Sequence, residues 1–264
     1  MEANVLQLSV EGDSSPVIRA AGELNYLNCD SLGAVIRDAL SRDVSAVGLA
    51  LGELDFVDSS GLRILVTAAQ EAGKLGRSIS IVSLTPQLSH MLDVSGFRCF
   101  FDHVAAPPGR DEPESSSPAA IGSHCFEITA EPAACRSARN GVCDFAESAG
   151  FDSVELADIK LAVGEAISNA VRHGMCDGEA IQIRCEMGEG RLRVSLRYPS
   201  AVFDAHSVPA PDSESLSEGG MGIYFMRLAM DGVKYEFEDG CVVLTLEKRV
   251  KRSHSPRRRK AAGR

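Results

Sequence analysis

In the N-terminal part of the chain, short apolar runs alternate with longer segments of helical periodicity. The runs fall at residues 5–10, 17–20, 47–51 and 79–82, and the helical patterns fall near 29–41, 60–75 and 86–95. Strands that alternate with helices in this way predict a sheet with helices packed against it. The pattern therefore predicts an α/β domain.

The C-terminal part has a different order of elements. An apolar strand at 125–129 precedes two helical patterns, at 132–149 and 153–173. Two predicted hairpins follow, and an irregular stretch at 198–219 and a short helix that begins at Gly220 lie between them. The hairpins pair residues 180–187 with 191–197 and residues 233–238 with 241–247. Helices segregated from antiparallel strands predict an α+β sandwich.

Composition places the domain boundaries. Residues 105–123 contain four prolines and a serine run, which predicts an extended linker between a domain at 1–104 and a domain at 124–247. Residues 248–264 contain nine basic and no acidic residues. We expect them to form a disordered tail; phosphate neutralisation on a nucleic acid is the alternative for this segment alone.

The remaining composition is typical of a cytoplasmic protein without a membrane segment. Hydrophobic residues make up 44% of the chain and charged residues 24%, as in globular proteins. We identify no signal peptide and no apolar run of the roughly 18 residues that a membrane helix needs. Eight cysteines are scattered without a C-x-x-C pair, which favours free thiols in a reducing compartment.

The segment Asp58-Ser59-Ser60-Gly61 lies between a predicted strand and a predicted helix. Asp58 or Ser59 can act as an ordinary N-cap there. A phosphate on Ser59 would also be stabilised there, because a helix N-terminus carries unpaired N–H groups and about half a positive charge.

The order of motifs over residues 4–104 resembles the anti-sigma-factor antagonist (STAS) domains. These motifs are Gly22-Glu23-Leu24-Asn25, Asp58-Ser59-Ser60-Gly61-Leu62, Ser83-Leu84-Thr85-Pro86 and Asp93-Val94-Ser95-Gly96-Phe97. The resemblance implies that Ser59 is the regulatory phosphoacceptor of this domain.

A second group of polar residues lies on the predicted helix at 153–173. Glu165, Asn169 and His173 are spaced four apart and share one face, which by itself also fits the solvated side of an amphipathic helix. The sequence from Leu156 to Gly174 resembles the N-box of the histidine-kinase-like (GHKL) ATPases, in the version found in anti-sigma-factor serine kinases. The resemblance implies that Asn169 is a Mg²⁺ ligand and that Glu165 accepts the proton of the target serine.

The glycines at 219–222 resemble the second glycine box of the same family. By this resemblance the nucleotide-binding residues are His173, Gly220, Met221 and Gly222, and the cofactor is Mg-ATP. The sequence departs from the family at three positions. Tyr198 and Ser200 stand where the first glycine box has an aspartate, which binds adenine, and a glycine, and Glu218 stands where several members have arginine.

Together these resemblances predict a partner-switching regulator of sigma-factor activity, with an antagonist domain fused to an anti-sigma-factor kinase-type domain. The departures at 198, 200 and 218 favour a degenerate ATPase that serves for docking alone. The alternative is an active serine-protein kinase that phosphorylates Ser59 or a separate antagonist. The expected partners are a sigma factor, another anti-sigma or antagonist protein, or the chain's own other domain, and no membrane.

Overall fold

Two β-sheets with packed helices organise the chain. The structure is a computed structural model that describes residues 6–105, 122–129, 131–174, 180–200 and 220–250. The first sheet and its helices fall within 6–105, and the second within 122–250. This division agrees with the predicted α/β and α+β classes, which are confirmed.

The first domain is built on a four-stranded sheet of order β1-β2-β3-β4. Strand β1 pairs antiparallel with β2, and β2, β3 and β4 are parallel. The strands are β1 (Gln7–Glu11), β2 (Val17–Leu24), β3 (Ala46–Val57) and β4 (Ser78–Leu84). The helices are α1 (Cys29–Ser41), α2 (Ser59–Lys74) and α3 (Pro86–Ser95), followed by a 3-10 turn (Phe97–Phe100).

The second domain is built on an antiparallel sheet of order β5-β6-β7-β9-β8. Burial alternates along the central strands, so one face packs against helices and the other faces outward. The strands are β5 (Gly122–Ile128), β6 (Ile181–Gly188), β7 (Arg191–Pro199), β8 (Gly232–Glu238) and β9 (Cys241–Arg249). The helices are α4 (Pro132–Ser148), α5 (Ser153–His173) and α6 (Met221–Ala229).

Strand β3 is longer than the predicted run at 47–51. Polar residues interrupt its second half, but parallel pairing with β2 continues, with Glu53 beside Ala21 and Phe56 beside Glu23. Backbone pairing thus carries the strand past the point where the apolar pattern ends. Strand β3 therefore ends at Val57, immediately before Asp58 at the start of α2.

The boundary predicted at residue 248 was wrong by two residues, because β9 continues to Arg249. The Lys248 ammonium is buried and lies 2.8 Å from the Asp158 carboxylate on α5. This buried ion pair keeps Lys248 in the sheet. Residues 251–264 of the predicted tail and residues 106–121 of the predicted linker lie outside the described residues.

The two domains share an apolar interface. Leu161 on α5 and Met221 and Phe225 on α6 are buried against the core of the first domain. Tyr224 packs beside them, and its hydroxyl donates to the Val94 carbonyl oxygen at 3.4 Å. The beginning of α6 and the middle of α5 therefore face the first domain.

Among the described helices, none combines the length and apolar character needed to cross a membrane.

Candidate functional site

The candidate site lies between the domains and begins at the N-terminus of α2. Asp58, one of the two N-cap candidates in the sequence, caps this helix: its Oδ1 accepts the Gly61 amide at 2.9 Å. Its Oδ2 accepts the Tyr26 amide at 3.0 Å, which ties the loop after β2 to the same carboxylate. Ser59 is the first residue of the helix, so its N–H has no partner within the helix.

Glu165 on α5 supplies that partner from the other domain. Its Oε1 accepts the backbone N–H of Ser59, and its Oε2 accepts the Ser59 hydroxyl at 2.8 Å. A carboxylate at a helix N-terminus is favoured by the helix dipole. The structure thus joins the two residues that the sequence singles out as phosphoacceptor and proton acceptor, 106 positions apart in the chain.

Both acidic residues at this junction are removed from water. Glu165 is 2% exposed and Asp58 is 1% exposed, and Ser59 between them is 9% exposed. Burial, together with the charge of Asp58, raises the pKa of the Glu165 carboxyl to about 8, although the bonds from Ser59 act in the opposite direction. Burial also raises the pKa of Asp58, against the effect of its backbone donors. Two buried carboxyls that repel each other retain protons more strongly than exposed ones.

Three further polar contacts connect the two domains beside Ser59 and Glu165. Glu23, at the end of β2, forms ion pairs with Arg136, whose Nε lies 2.7 Å from its Oε1, and with Arg139. Lys160 Nζ donates to the carbonyl oxygen of Asp55 at 2.9 Å.

On the α3 side, His90 Nε2 lies 3.1 Å from Asp158 Oδ1, on the carboxylate that also holds Lys248. The contacts from His90 and Lys248 lower the pKa of Asp158, although its burial acts in the opposite direction. The junction between the domains therefore combines apolar contacts with buried polar and charged pairs.

The second glycine box lies against the N-box. A Cβ placed on Gly222 would lie 2.6 Å from Glu165 Oε2 and 3.6 Å from both polar atoms of the Asn169 side chain. Only glycine permits this approach of α6 to α5. Gly220 precedes α6, and Met221 turns into the core of the first domain. Glu165, Asn169, Gly220 and Gly222 are therefore together, as the resemblance implies.

The residues expected at the base end of a nucleotide site do not lie in the cluster formed by Glu165, Asn169 and Gly222. Tyr198 is buried in the core of the second domain, where it pairs with Val242 on β9. Ser200 is also buried, and its hydroxyl donates to the carbonyl oxygen of His173 at 3.5 Å. His173 itself ends α5, and its imidazole is exposed. Glu218 lies outside the described residues.

Sequence reasoning did not identify four residues that shape the junction. Phe56 packs on Gly164, and the guanidinium of Arg139 lies 3.8 Å from the centre of the Phe56 ring. Arg172 lies over the Tyr26 ring at 5.9 Å. Gly164 was detectable in principle, since a glycine inside a helix costs roughly 1 kcal/mol relative to alanine and calls for a packing reason. The others look like ordinary core or surface residues in a single sequence.

Comparison with known families gives two matches, one for each domain. Residues 128–248 match the histidine kinase-like ATPase domain family. Residues 9–99 match the family described as Mlab, STAS domain.

Among characterised proteins, the second domain is similar to serine-protein kinases named RsbW. The RsbW of Bacillus velezensis is 33% identical over 129 residues, which is 45% of this chain and 80% of that protein. The RsbW of Listeria innocua is 30% identical over 130 residues, 45% of this chain and 82% of that protein.

Solved structures with similar parts include the RsbU and RsbW domains of Rv1364c from Mycobacterium tuberculosis. The Rv1364c structure is 19% identical with a TM-score of 0.38, and the match covers 48% of this chain and 32% of that chain. An anti-sigma factor antagonist from Mycobacterium paratuberculosis is 22% identical with a TM-score of 0.36, and the match covers 42% of this chain and 92% of that chain.

Proposed function

Because this chain belongs to the RsbW family of serine-protein kinases and carries a STAS domain ahead of its kinase-type domain, we propose that it is a partner-switching regulator whose two domains dock on each other. The hydrogen bond between Ser59 and Glu165 carries this proposal. In the docked state the kinase-type domain covers Ser59, and the STAS domain covers Glu165. Neither surface is then available to another protein.

The partners of this regulator are a sigma factor, or another anti-sigma or antagonist protein. Such a partner gains access when the two domains separate, because the Glu165 surface and the Ser59 surface are freed together. Docking within one chain is favoured over docking between chains, since a linker holds the domains at high effective concentration. We place the regulator in the cytoplasm, in keeping with free thiols at every cysteine that the structure describes.

Ser59 is the proposed site at which phosphorylation controls this docking. A phosphate adds about 1.5 to 2 negative charges, and here it would meet the buried carboxyls of Glu165 and Asp58. The same phosphate would be well placed at the N-terminus of α2 once Glu165 has left. Phosphorylation therefore favours the separated state over the docked one.

The kinase-type domain implies ATP as ligand, usually with magnesium. The residues present fit the phosphate end of such a ligand: Asn169 offers an oxygen for Mg²⁺, and Gly220 and Gly222 lie at the start of α6, where backbone N–H groups have no partner within the helix. When bound, Mg-ATP would supply its γ-phosphoryl group to a hydroxyl oxygen, with ADP as the leaving group. Glu165 Oε2 would take the proton that the Ser59 oxygen releases as it forms the phosphate ester.

A second candidate function is docking without phosphoryl transfer. It is favoured by the burial of Tyr198 in the core, where the family has a carboxylate for the adenine amino group. Burial also raises the pKa of Glu165 to about 8, so less of this carboxyl is ionised, and available to accept a proton, at neutral pH in the docked state. The alignment of Ser59 with Glu165 at 2.8 Å favours transfer. In both functions the docked pair is the regulated element.

The test replaces Ser59 by aspartate in the full chain and measures the radius of gyration by small-angle X-ray scattering. An aspartate at the first position of α2 is favourable for the helix itself, so the domain stays folded. It places a charge against Glu165, and we expect a larger radius of gyration than in the parent.

Ser9→Asp is the matched control, because Ser9 is exposed on β1, and we expect it to leave the radius unchanged. If Ser59→Asp scatters like the parent, docking does not depend on the charge at this residue and the proposed switch is wrong.

A further inference from the structure

Phe56 occupies an unusual place in the molecule. It is 1% exposed and is among the largest fully buried side chains, yet in the described part of the chain it belongs to neither domain's core. It lies two residues before Asp58, at the end of β3. Its ring is buried by the other domain, so the STAS domain alone would leave a large aromatic ring exposed beside Ser59.

Gly164 is the residue on which this ring rests. A Cβ built on Gly164 would lie 2.3 Å from Phe56 Cζ and 2.7 Å from Phe56 Cε2, far inside van der Waals contact. Gly164 is in the middle of α5, next to Glu165, where alanine would be the better helix former. The absence of a side chain at 164 is therefore what allows the far edge of the ring to approach the helix this closely.

Arg139 on α4 covers the ring from another side. Its guanidinium is 3.8 Å from the ring centre, in the range of a cation–π contact. Glu23 pairs with the same guanidinium and so fixes it. The slot for the ring is formed by α4 and α5 together. Helix α5 leaves room for the ring at Gly164, and α4 places the charged Arg139 side chain over it.

We propose that Phe56 and Gly164 form a size filter by which the kinase-type domain selects its partner. The α4–α5 surface fits a STAS-type domain that carries a large aromatic residue three positions before its serine, and the STAS domain of this chain meets that requirement. The filter rests on the docked arrangement proposed above. It adds the residues that decide which partner reaches Glu165.

The filter works by shape. The hydrogen bond between the Ser59 hydroxyl and the Glu165 carboxylate beside it requires that the start of α2 stay close to α5. A side chain at 164 would push the ring, and with it the start of α2, away from α5. The bond from Ser59 to Glu165 would then lengthen, since Phe56 and Ser59 lie on the same short segment.

The test uses the backbone amide of Ser59, whose hydrogen-exchange rate can be followed by NMR in the full chain. Its N–H bonds to Glu165 and has no partner within α2, so its protection reports docking. We expect Gly164→Ala to raise its exchange rate about tenfold or more, as overpacking of a buried contact predicts. Phe56→Leu removes the clashing ring atoms, and in the double variant we expect the rate to fall back toward that of the parent.

Gly73→Ala is the control for adding a methyl group to a helix, because no heavy atom lies within 4 Å of that position, and we expect no change. Protection of the β7 amides verifies that each variant is folded. If Gly164→Ala leaves the Ser59 amide protected, or if the double variant exchanges as fast as Gly164→Ala alone, the filter is wrong while docking stands. If the Ser59 amide is unprotected in the parent, both the filter and the docked arrangement are wrong.

Discussion

The two ends of the candidate nucleotide site differ in which residues occupy them and in how closely those residues match the family pattern. At the end that faces the STAS domain, Glu165, Asn169 and Gly222 are in close contact and agree with the family pattern. At the opposite end, Tyr198 and Ser200 are packed into the second domain, and the family's carboxylate is missing.

The difference separates the docking surface from the proposed base end along the chain. The residues that meet the STAS domain lie on α5 and at the start of α6, whereas the proposed base end lies at Tyr198 and Ser200, where β7 ends. A chain can therefore keep the docking surface while the base end changes. Changes at the two ends should have different consequences.

The largest effect is expected from Tyr198→Asp, which would restore the carboxylate of the family pattern. Losing a buried aromatic ring costs about 3–5 kcal/mol, and a carboxylate left in its place adds a further penalty. We expect a marked drop in the midpoint of thermal unfolding, measured by circular dichroism.

Tyr198→Phe keeps the ring and is the control, for which we expect a small change. If Tyr198→Asp were as stable as the parent, the base end would be open to water and would differ little from the phosphate end.

A change of pH should act mainly at the docking end, through Glu165. Its pKa is raised from 4.5 to about 8 in the docked state, so docking takes up a proton. The resulting stabilisation is fully present below about pH 4.5 and is lost as the pH rises through about 8; it amounts to a few kcal/mol at most. Asp58 acts in the same direction, since its pKa is also raised. Scattering at pH 6 and pH 9 should show a larger radius of gyration at pH 9.

Glu165→Gln provides the matched comparison, because the amide has the same shape and does not titrate. In this variant the radius should depend less on pH than in the parent. An equal pH dependence in both proteins would assign the effect to other groups.

Asn169→Ala tests the phosphate end without disturbing docking. Asn169 is the proposed Mg²⁺ ligand, and it is half-buried beside Gly222. Loss of a bond to a charged group costs about 1.5–3 kcal/mol, so Mg²⁺-dependent ATP affinity should fall about ten- to a hundredfold in calorimetry. The radius of gyration without nucleotide should stay that of the parent. Equal ATP affinity in the variant and the parent would exclude Asn169 as a ligand.

The smallest effect is expected from His90→Ala, at the edge of the junction. The pair of His90 with Asp158 is partly exposed, at 38% for the histidine side chain, and such pairs contribute about 0.2–1 kcal/mol. The exchange rate of the Ser59 amide should rise by no more than about fivefold. A rise as large as that expected for Gly164→Ala would show that the α3 side contributes as much as the Phe56 slot.

Much of each domain could be predicted from periodicity, because a helix or strand shows its own buried face. The cap at Asp58 and the shared face of Glu165 and Asn169 are local features of this kind. The contact of Ser59 with Glu165 could be suspected only from the family resemblance, since it joins residues 106 positions apart.

The parts that could not be predicted depend on the neighbouring element. Strand β3 runs through polar residues because β2 pairs with it, and Lys248 is buried because Asp158 lies opposite. Phe56 reads as an ordinary core residue until Gly164 is placed beside it. A pattern within one segment contains no information about such partners.

The central claim is that Ser59 docks on Glu165 within the same chain, and the exchange rate of one proton tests it most directly. In an undocked STAS domain the Ser59 amide is the unpaired first N–H of α2, and it should exchange at nearly the rate of an unstructured peptide. In the full chain at neutral pH the account predicts protection by at least about tenfold, lost in Ser59-phosphorylated protein. Exchange of the Ser59 amide at the unprotected rate in the unmodified full chain would contradict it.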